Sequence, residues 1–510
     1  MRTVVQMFED AVEQHGDKAL TIEPDGRRLS YAEVRALRDE LAGALTSLGV
    51  RAGDRVAVRT EKLPEVIALY LATLQLGGIY LPLNTAYTGN ELQYFIDDAR
   101  PAVFVCAPGE EERLAEHGSG GVSFVSMGPH GTGTLLARPA ARAAEPVEVD
   151  LDAPAAILYT SGTTGRSKGA VLTHRNLASN CATLTEAWEF GSEDVLIHAL
   201  PIFHIHGLFV AVNMVVTTGA GMHFLDTFDA GTIIDLMPCS TVLMGVPTFY
   251  TRLLKHPGLT AEATRNMRLF VSGSAPLSAQ THHEWKARTG HAILERYGMT
   301  ETGMMCSNPY HGERRAGTVG LPLEGISIRV AGRETNAELP TGEVGVIQVS
   351  GPNVFGEYWN MPEKTVEEFT EDGYFVTGDL GVFDEDGYLS IVGRDKDLVI
   401  SGGYNIYPKE IEDLIDEHPS VRESAVVGVP HEDLGEAPVA VVVLDDPADG
   451  DPEEILGSIR PRLARFKQPR AVVFRDELPR NVMGKVQKAE LRREYAELLG
   501  RPQAPAGTEG

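Results

Sequence analysis

The chain has 510 residues, of which 43% are hydrophobic and 23% charged, proportions that are ordinary for a soluble globular enzyme. This length predicts three or four structural units with ample chain for a large core. The formal net charge of −27 argues against nucleic acid and anionic membrane as the main partners, because both are themselves negatively charged.

The first part of the chain alternates predicted helices and strands. Residues 30–50 predict a helix, with Ser30 at the N-cap, Glu33 at the capping-box position and leucines at helical spacing. Three segments follow in order: a buried strand, a helix that is apolar nearly all round, and a second strand, at 56–58, 63–76 and 102–106. This alternation predicts an α/β fold with a largely parallel sheet.

The pattern of predicted secondary structure changes twice further along the chain. Residues 118–150 are rich in Gly, Ala, Pro and Arg and predict loops, and a second α/β pass begins near Ala155. Its predicted strands are 195–200, 241–246 and 269–272. After Gly317, short strands separated by turns predict a β-rich subdomain, with strands at 326–330 and 345–349.

A small α+β domain is predicted beyond a boundary at 393–397. Its elements are helices at 408–417 and 452–465 and strands at 426–429 and 439–444. Residues 501–510 are rich in Pro and Gly and predict a disordered tail.

The cysteines and the first residues bear on location. The four cysteines are widely separated and show no CxxC spacing, which predicts reduced thiols and neither a disulfide framework nor a zinc site. Residues 1–10 turn acidic before a signal-peptide core could form, and the longest apolar stretches, around 66–76 and 207–216, are too short to cross a bilayer. We therefore expect a cytoplasmic protein without membrane partners.

The most informative segment is 159–169, which reads Tyr-Thr-Ser-Gly-Thr-Thr-Gly-Arg-Ser-Lys-Gly. Its glycines allow a ligand to approach the backbone closely, and its hydroxyls and amides can donate to phosphate oxygens. Lys168 adds a positive charge. The segment is not a Walker A loop, because Ser167 precedes Lys168 and Gly169 follows it. It predicts a phosphate-binding loop of another kind.

Four more segments set polar side chains beside glycine turns. Residues 295–302 read Glu-Arg-Tyr-Gly-Met-Thr-Glu-Thr, and 374–380 read Tyr-Phe-Val-Thr-Gly-Asp-Leu. Residues 393–396 combine Gly, Arg and Lys around one Asp, and 479–486 isolate Lys485 behind a glycine. Any one of these motifs is moderately specific, and five in order are very specific.

In this order the five motifs resemble those of the ANL superfamily of adenylate-forming enzymes, which includes acyl-CoA synthetases, adenylation domains and luciferases. The resemblance implies a large N-terminal domain over 1–394, built of α/β subdomains plus a β-rich subdomain. A hinge at 395–397 and a small mobile α+β C-terminal domain at 398–500 would follow. It also implies two half-reactions: a carboxylate attacks the α-phosphate of ATP, and a thiol then attacks the acyl-adenylate.

The resemblance assigns roles to the motif residues. The β- and γ-phosphates of ATP would be held by Thr160, Ser161, Gly162, Thr163, Thr164, Gly165 and Lys168. Adenine would lie among Gly273, Ser274, Ala275 and the segment Glu295, Arg296, Tyr297 and Gly298.

The remaining roles concern ribose, metal and domain movement. Asp379 and Arg394 would bind the ribose. Thr300 would touch the α-phosphate, and Glu301 would bind Mg²⁺, which favours carboxylate oxygen. Lys485 would neutralise charge as carboxylate and phosphate approach. Lys396 matches the hinge, and Gly402 and Gly403 would lie along the pantetheine tunnel of CoA.

The acyl pocket decides which acid is used. A fatty acid needs a long apolar tunnel, whereas a dicarboxylate needs a cation for its unreactive end. Arg252 and Arg296 can each pair with such a carboxylate. Together with the segment Pro-Ile-Phe-His-Ile-His-Gly at 201–207, they resemble the malonyl-CoA synthetase branch. His206 and Ser274 would assist the carboxylate, and Met304 would limit the length of the pocket.

One departure from that branch widens the expected range of acids. Malonyl-specific members often have Asn near positions 303 or 305, where this chain has Gly303 and Met305. Gly303 would leave room for an α-methyl group, so methylmalonate stands beside malonate as a candidate.

Several other functions share parts of this pattern. One is an acyl-CoA synthetase for another small or aromatic acid, and another is an adenylation enzyme that loads a carrier protein. A nucleotide-binding regulatory protein without turnover and a luciferase-like oxygenase share the ATP residues. The leading prediction is an AMP-forming acid–thiol ligase that uses malonate, ATP, CoA and Mg²⁺, with its oligomeric state left open.

Overall fold

The computed structural model describes residues 1–118, 121–137, 146–160, 167–446, 450–481 and 484–499. Within these ranges the strands are β1 Ala19–Ile22, β2 Arg28–Ser30, β3 Arg55–Arg59, β4 Ile79–Pro82, β5 Val103–Cys106, β6 Ser123–Ser126, β7 Pro154–Thr160, β8 Lys168–Thr173, β9 Val195–His198, β10 Gly221–Phe224, β11 Val242–Gly245, β12 Leu269–Ser272, β13 Leu294–Met299, β14 Gly303–Ser307, β15 Leu321–Pro322, β16 Ser327–Ala331, β17 Gly345–Ser350, β18 Glu357–Tyr358, β19 Phe375–Phe383, β20 Leu389–Arg394, β21 Val399–Ser401, β22 Tyr404–Ile406, β23 Val421–His431, β24 Gly435–Leu444 and β25 Ala471–Arg475. The α-helices are α1 Val4–His15, α2 Tyr31–Ser47, α3 Pro64–Gln75, α4 Gly89–Ala99, α5 Glu111–Ala115, α6 His174–Ala187, α7 Asn213–Thr218, α8 Ala230–Leu236, α9 Pro247–Leu254, α10 Ala279–Thr289, α11 Pro362–Glu367, α12 Pro408–Asp416, α13 Pro452–Ile459 and α14 Lys488–Glu494.

Two largely parallel sheets form the first part of the molecule. One has the spatial order β18-β8-β7-β4-β3-β5-β6, and the other has the order β15-β14-β13-β12-β11-β9-β10-β1-β2. Helix α3 is buried along its whole length, as its uniformly apolar sequence predicts. Ser30 caps α2 with Glu33 in a capping box, also as predicted. The α/β prediction for this part is confirmed.

The β-rich segment and the C-terminal segment each have a sheet of their own. Strands β16, β17, β19 and β20 form a four-stranded antiparallel sheet. Strands β22, β21, β24 and β23 form the last sheet, with β25 added parallel to β24. Helices α12, α13 and α14 accompany this last sheet, which makes the small α+β domain that the sequence predicts.

Three local predictions differ from the structure. The segment 118–150 is not all loop, because β6 adds a parallel edge strand to β5. Strands β23 and β24 are much longer than predicted, since their polar ends pair as far as the contact of His431 with Gly435. Helix α13 ends at Ile459 and not at 465, because Pro461 has no amide hydrogen to continue it.

The segment between the two domains is a short 3-10 turn, Asp395–Asp397. Asp395 pairs with Arg333 of the large domain at 2.6 Å. Asp397 pairs with Arg492 of α14 at 2.9 Å. Lys396 therefore lies between one ion pair to each domain. The exact domain boundaries at 394 and 398 stay a prediction.

Two other expectations concern the whole chain. Among the residues that the structure describes, no helix is both long and apolar enough to cross a membrane. The predicted tail at 501–510 lies outside the described residues.

Candidate active site

The turn between β13 and β14 carries the predicted metal ligand. A methyl group on Gly298 would lie 2.1 Å from the Gly303 carbonyl oxygen, so the strands are too close there for a side chain. Thr300 and Glu301 consequently lie in a tight turn between the two strands. Glu301 is buried, and burial raises the pKa of its carboxyl group.

Glu301 meets both described ends of the phosphate loop. Thr160, at the end of β7, has its hydroxyl 3.5 Å from Oε1 of Glu301. Thr160 pairs with Lys168 across β7 and β8, so both residues lie beside this carboxylate. The other predicted phosphate ligands, Ser161, Gly162, Thr163, Thr164 and Gly165, lie outside the described residues.

Lys168 is held by two residues that the sequence analysis missed. Its Nζ lies 2.7 Å from Glu368 and 3.2 Å from the Tyr358 hydroxyl. Burial acts to raise the pKa of Glu368, but the hydrogen bonds from Lys168 and Tyr358 and the positive charge of Lys168 together outweigh it, so the pKa lies below its ordinary value. Neither residue belongs to a recognised motif, and the pairing of β18 with β8 brings them to Lys168.

The strands on either side of the phosphate loop are fixed to helix α4. Tyr94 donates its hydroxyl hydrogen to the carbonyl oxygen of Ser167 at 2.8 Å. Tyr159 donates to the Asp98 carboxylate at 2.5 Å, and Trp359 donates to the Asp98 carbonyl at 3.1 Å. These bonds give the loop a rigid base on both strands.

The predicted ribose carboxylate is built into the β19–β20 pair. Asp379 faces Arg394 across the two strands, and its Oδ1 lies 2.8 Å from the Arg394 Nε. The Tyr297 hydroxyl donates to the other oxygen at 2.5 Å. The Asp379 carboxylate raises the pKa of Arg394, which keeps the guanidinium charged. The structure thus brings together three of the predicted nucleotide residues.

Lys485 reaches this group from the small domain. Its backbone is held in a turn by Asn481, whose side chain accepts from the Lys485 amide at 3.0 Å. A methyl group on Gly484 would lie 3.2 Å from the Thr248 hydroxyl, so the turn rests on the start of α9. Burial and the nearby Arg394 lower the pKa of Lys485 to about 8.

One of the two arginines predicted for the acyl pocket, Arg296, is a buried cation. Arg296 is 2% exposed, and neither Nε nor one terminal nitrogen of its guanidinium has a hydrogen-bond partner among the described residues. Burial lowers its pKa to about 9, which still leaves it charged at neutral pH. A buried charge without partners is costly, so this arrangement favours an anion as ligand.

Two histidines and a serine lie beside Arg296. Burial, reinforced by the Arg296 charge, lowers the pKa of both His204 and His206, so both are neutral at pH 7. His206 begins a π-helical turn, His206–Val212, and its Nδ1 lies 3.3 Å from the Ser274 hydroxyl. Ser274 has a positive φ of 72°, a strained conformation for a residue with a side chain. The predicted neighbours Arg296, His206 and Ser274 are therefore brought together.

The segment 273–277 is shaped around this cluster. A methyl group on Gly273 would lie 2.4 Å from the guanidinium carbon of Arg296, so only glycine fits there. Glu295 is buried and accepts from the Leu277 amide at 3.1 Å, which fixes the far end of the segment. Ala275 lies between them and is half-buried.

Arg252 lies apart from this cluster. It is exposed on α9, with its guanidinium carbon 5.7 Å from the centre of the Phe228 ring. It lines a cavity of about 1030 Å³ that Phe203 and Phe249 also line, with Asn481 of the small domain. Arg252 is thus placed at a cavity mouth between the two domains.

Two predicted pocket residues, Gly303 and Met304, pack closely against other segments. Gly303 has a φ of 57°, and a methyl group there would lie 2.7 Å from Asn180 Oδ1. A side chain at position 303 would therefore collide with Asn180, and the room for an α-methyl group of the substrate stays a prediction. The terminal methyl of Met304 lies against Gly298, 2.7 Å from where a Cβ there would be.

The predicted CoA residues lie in a hairpin of the small domain. Gly402 and Gly403 form the exposed tip of the β21–β22 hairpin, and both have positive φ values, 57° and 82°. The Gly402 amide donates to Leu434 within the small domain.

Comparison with known proteins agrees with this geometry. The family model described as AMP-binding enzyme matches residues 8–359, and the model of the AMP-binding enzyme C-terminal domain matches residues 410–485. The chain belongs to the AMP-binding enzyme family. The resemblance to adenylate-forming enzymes that the motifs predict is confirmed.

Three relatives show where in this family the chain lies. It is similar to a malonate–CoA ligase of Arabidopsis thaliana, 35% identical over 96% of this chain and 89% of that one. A feruloyl-CoA synthase of Amycolatopsis sp is 36% identical, over 94% and 96%. The crystal structure of ATP-bound MatB from Rhodopseudomonas palustris is 54% identical, covers 98% of this chain and 100% of its own, and superposes with a TM-score of 0.94.

Proposed function

We propose that this AMP-binding enzyme is a malonyl-CoA synthetase, which ligates malonate to CoA with ATP and releases AMP and pyrophosphate. The observation that carries the proposal is the buried Arg296 guanidinium, with nitrogens that lack partners, beside His206 and Ser274. An apolar or aromatic acid would leave this charge unpaired, whereas the distal carboxylate of malonate pairs with it. The malonate–CoA ligase among the relatives supports the same choice.

The two cations have different roles in acid binding. Arg296 holds the distal carboxylate at the buried end of the pocket, with the neutral imidazole of His206 and the Ser274 hydroxyl as hydrogen-bonding neighbours. Arg252, exposed at the cavity mouth, attracts the dianion against the acidic field of the whole chain.

Adenylation joins the reacting carboxylate to the α-phosphate of ATP. A carboxylate oxygen forms a bond to phosphorus as the bond from phosphorus to pyrophosphate breaks. Lys485 offsets the negative charge of the two approaching anions, and Thr300 donates to an α-phosphate oxygen. Asp379, held by Tyr297 and Arg394, accepts hydrogen bonds from the ribose hydroxyls.

Mg²⁺ fits the residues around Glu301. The Glu301 carboxylate and the Thr160 hydroxyl oxygen are hard ligands of the kind that Mg²⁺ prefers, with phosphate and water completing its shell. In the described part of the chain no cluster of three His, Cys, Asp or Glu side chains could hold a metal, which suits an ion shared with phosphates. When bound, the ion would neutralise charge on the phosphates.

Thioester formation needs the small domain in another position. The turn that carries Lys485 rests on α9, with Lys485 beside Arg394 and Asp379, and the Gly402–Gly403 tip is exposed. Rotation about Lys396 withdraws Lys485 and admits the pantetheine arm beside the tip. The CoA thiol loses its proton, its sulfur bonds to the acyl carbon, and AMP leaves. All four cysteines are free, which suits a reducing, cytoplasmic location for this chemistry.

A screen of CoA thioesters tests the proposal directly. The protein is incubated with ATP, Mg²⁺, CoA and one acid at a time, and products are identified by mass spectrometry. The acids are acetate, malonate, methylmalonate, succinate, benzoate and octanoate. We expect malonyl-CoA to dominate, and the amount of methylmalonyl-CoA then tests whether the pocket admits an α-methyl group. Dominant benzoyl-CoA or octanoyl-CoA would overturn the pocket assignment, and acyl-AMP without thioester would indicate another acceptor.

Gly273→Ala is expected to weaken malonate use by displacing Arg296. The new methyl group would lie 2.4 Å from the guanidinium carbon, and a shift of about 1 Å at a reacting site can cost about 10²-fold. Steady-state kcat/KM for malonate and for butyrate measures the effect, and butyrate should lose far less. Gly457→Ala, where an added methyl has no atom within 4 Å, is the matched control. Equal losses with both acids would contradict the assignment.

A further inference from the structure

The segment after β18 folds onto the lysine of the phosphate loop. Tyr358 pairs with Ala170 on β8, two residues from Lys168, so both side chains lie on the same face of the sheet. The amide of Trp359 donates to the Gly169 carbonyl at 2.7 Å, and Thr365 Oγ1 accepts from the Tyr358 amide at 2.9 Å. Helix α11 then delivers Glu368 to the same place.

The three side chains contact one another, and Lys364 adds an ion pair to Glu368 at 3.2 Å. Glu368 uses both carboxylate oxygens: Oε1 accepts from Lys168 at 2.7 Å, and Oε2 accepts from Tyr358 at 2.6 Å. The Tyr358 oxygen in turn accepts from Lys168 at 3.2 Å. The Lys168 ammonium also lies 4.3 Å from the centre of the Tyr358 ring. A flexible four-carbon side chain is thus held at its charged end.

The same tyrosine reaches the predicted metal ligand. Its oxygen lies 3.1 Å from Oε1 of Glu301, so one phenol group joins the phosphate-loop lysine to that carboxylate. Among the described residues, Glu368 and Tyr358 take two of the three N–H bonds of Lys168, and the third is available to a phosphate.

We propose that Glu368 and Tyr358 are positioning residues that hold Lys168 in the orientation in which it receives the phosphates of ATP. The inference rests on the proposed role of Lys168 as a phosphate ligand and is independent of which acid is used. Two mechanisms make opposite predictions. If Glu368 anchors Lys168, less side-chain entropy is lost when ATP binds, because the lysine is already ordered. If Glu368 is only a counter-ion, it competes with the ATP phosphates for Lys168.

Glu368→Gln separates these mechanisms, because it keeps the shape of the side chain and removes its charge. If Glu368 is an anchor, this substitution should raise the KM for ATP about 3- to 10-fold, the range expected when one long side chain must be ordered on binding. The dissociation constant of ATP, measured by calorimetry, should rise in parallel. A lower KM for ATP would overturn the proposal in favour of competition.

A double-mutant cycle tests whether Glu368 acts through Lys168. In the Lys168→Ala background, Glu368→Gln should have no further effect, whereas additive effects would show that it acts by another route and overturn the anchor. Tyr358→Phe, which keeps the ring, should raise the KM for ATP by a smaller factor. This variant tests the same proposal if Glu368→Gln folds poorly. Glu363→Gln is the control, because Glu363 is exposed on the same helix α11.

Failure of the underlying role is distinguishable. An unchanged KM for ATP in Lys168→Ala would remove Lys168 as a phosphate ligand, and the anchor with it. The acid screen would still judge the malonate assignment by itself.

Discussion

Lys485→Ala is expected to slow the adenylation half-reaction by about 10²–10³-fold, the loss typical for one preorganised group that stabilises developing charge. Lys485 lies beside Asp379 and Arg394 in a turn that rests on α9, so its loss removes a positive charge from the predicted nucleotide residues. The measurement is malonate-dependent exchange of pyrophosphate into ATP.

The second half-reaction provides the internal control for Lys485. Thioester formation from supplied malonyl-AMP and CoA should proceed near the wild-type rate, because Lys485 is withdrawn at that stage. Lys488→Ala is the matched control, since Lys488 pairs with Glu412 at 2.5 Å and not with the nucleotide residues. Exchange at the wild-type rate in Lys485→Ala would remove this lysine from the mechanism.

The pH dependence offers a further readout of the same residue. Burial lowers the pKa of Lys485 to about 8, and the charged form is the one that offsets negative charge. The kcat/KM for adenylation should therefore be full below this pKa and fall as the pH rises through about 8. Lys485→Arg should flatten this decline, because arginine stays charged.

Arg296→Met is expected to lower kcat/KM for malonate by about 10²–10⁴-fold, since leaving a buried carboxylate without its partner costs about 3–5 kcal/mol. Methionine fills much of the same volume without a charge. Butyrate, which has a methyl group in place of the distal carboxylate, should be used as well as before or better. The measurement is kcat/KM for both acids with ATP and CoA held saturating.

Thermal unfolding of the same variant gives an independent test. Two guanidinium nitrogens of Arg296 are buried without partners, so their removal should leave the melting temperature of the ligand-free protein unchanged or raise it. Arg252→Ala is the matched control and should cost only a few-fold in malonate kcat/KM, because Arg252 is exposed. A larger loss from Arg252→Ala than from Arg296→Met would reverse the roles of the two arginines.

The sequence predicts the elements that carry a clear local signal. The Ser30 capping box and the apolar α3 both form as predicted, because each depends on residues close together in the chain. Side chains in recognised motifs also meet as predicted, as Tyr297, Asp379 and Arg394 do. Local pattern and motif order therefore account for most of the fold and for the nucleotide residues.

The remaining features depend on contacts between distant segments. Glu368 and Tyr358 are far from Lys168 in the chain, and no spacing rule connects them before β18 pairs with β8. The packing of Asn180, on α6, against Gly303 is another such contact that no local pattern indicates. The exposure of Arg252 on α9 and the burial of Arg296 on β13 likewise follow from long-range packing.

The two ion pairs around Lys396 limit how the small domain can turn. Arg333 ties Asp395 to the large domain, and Arg492 ties Asp397 to the small one. Asp395 is therefore fixed to the large domain and Asp397 to the small domain. In the proposed rotation, the backbone torsion angles of the one or two residues between these ion pairs must change. A hinge of this kind lets both domains stay rigid during the proposed rotation, because few torsion angles change. Neither domain then needs to lose order when the enzyme passes from one half-reaction to the other.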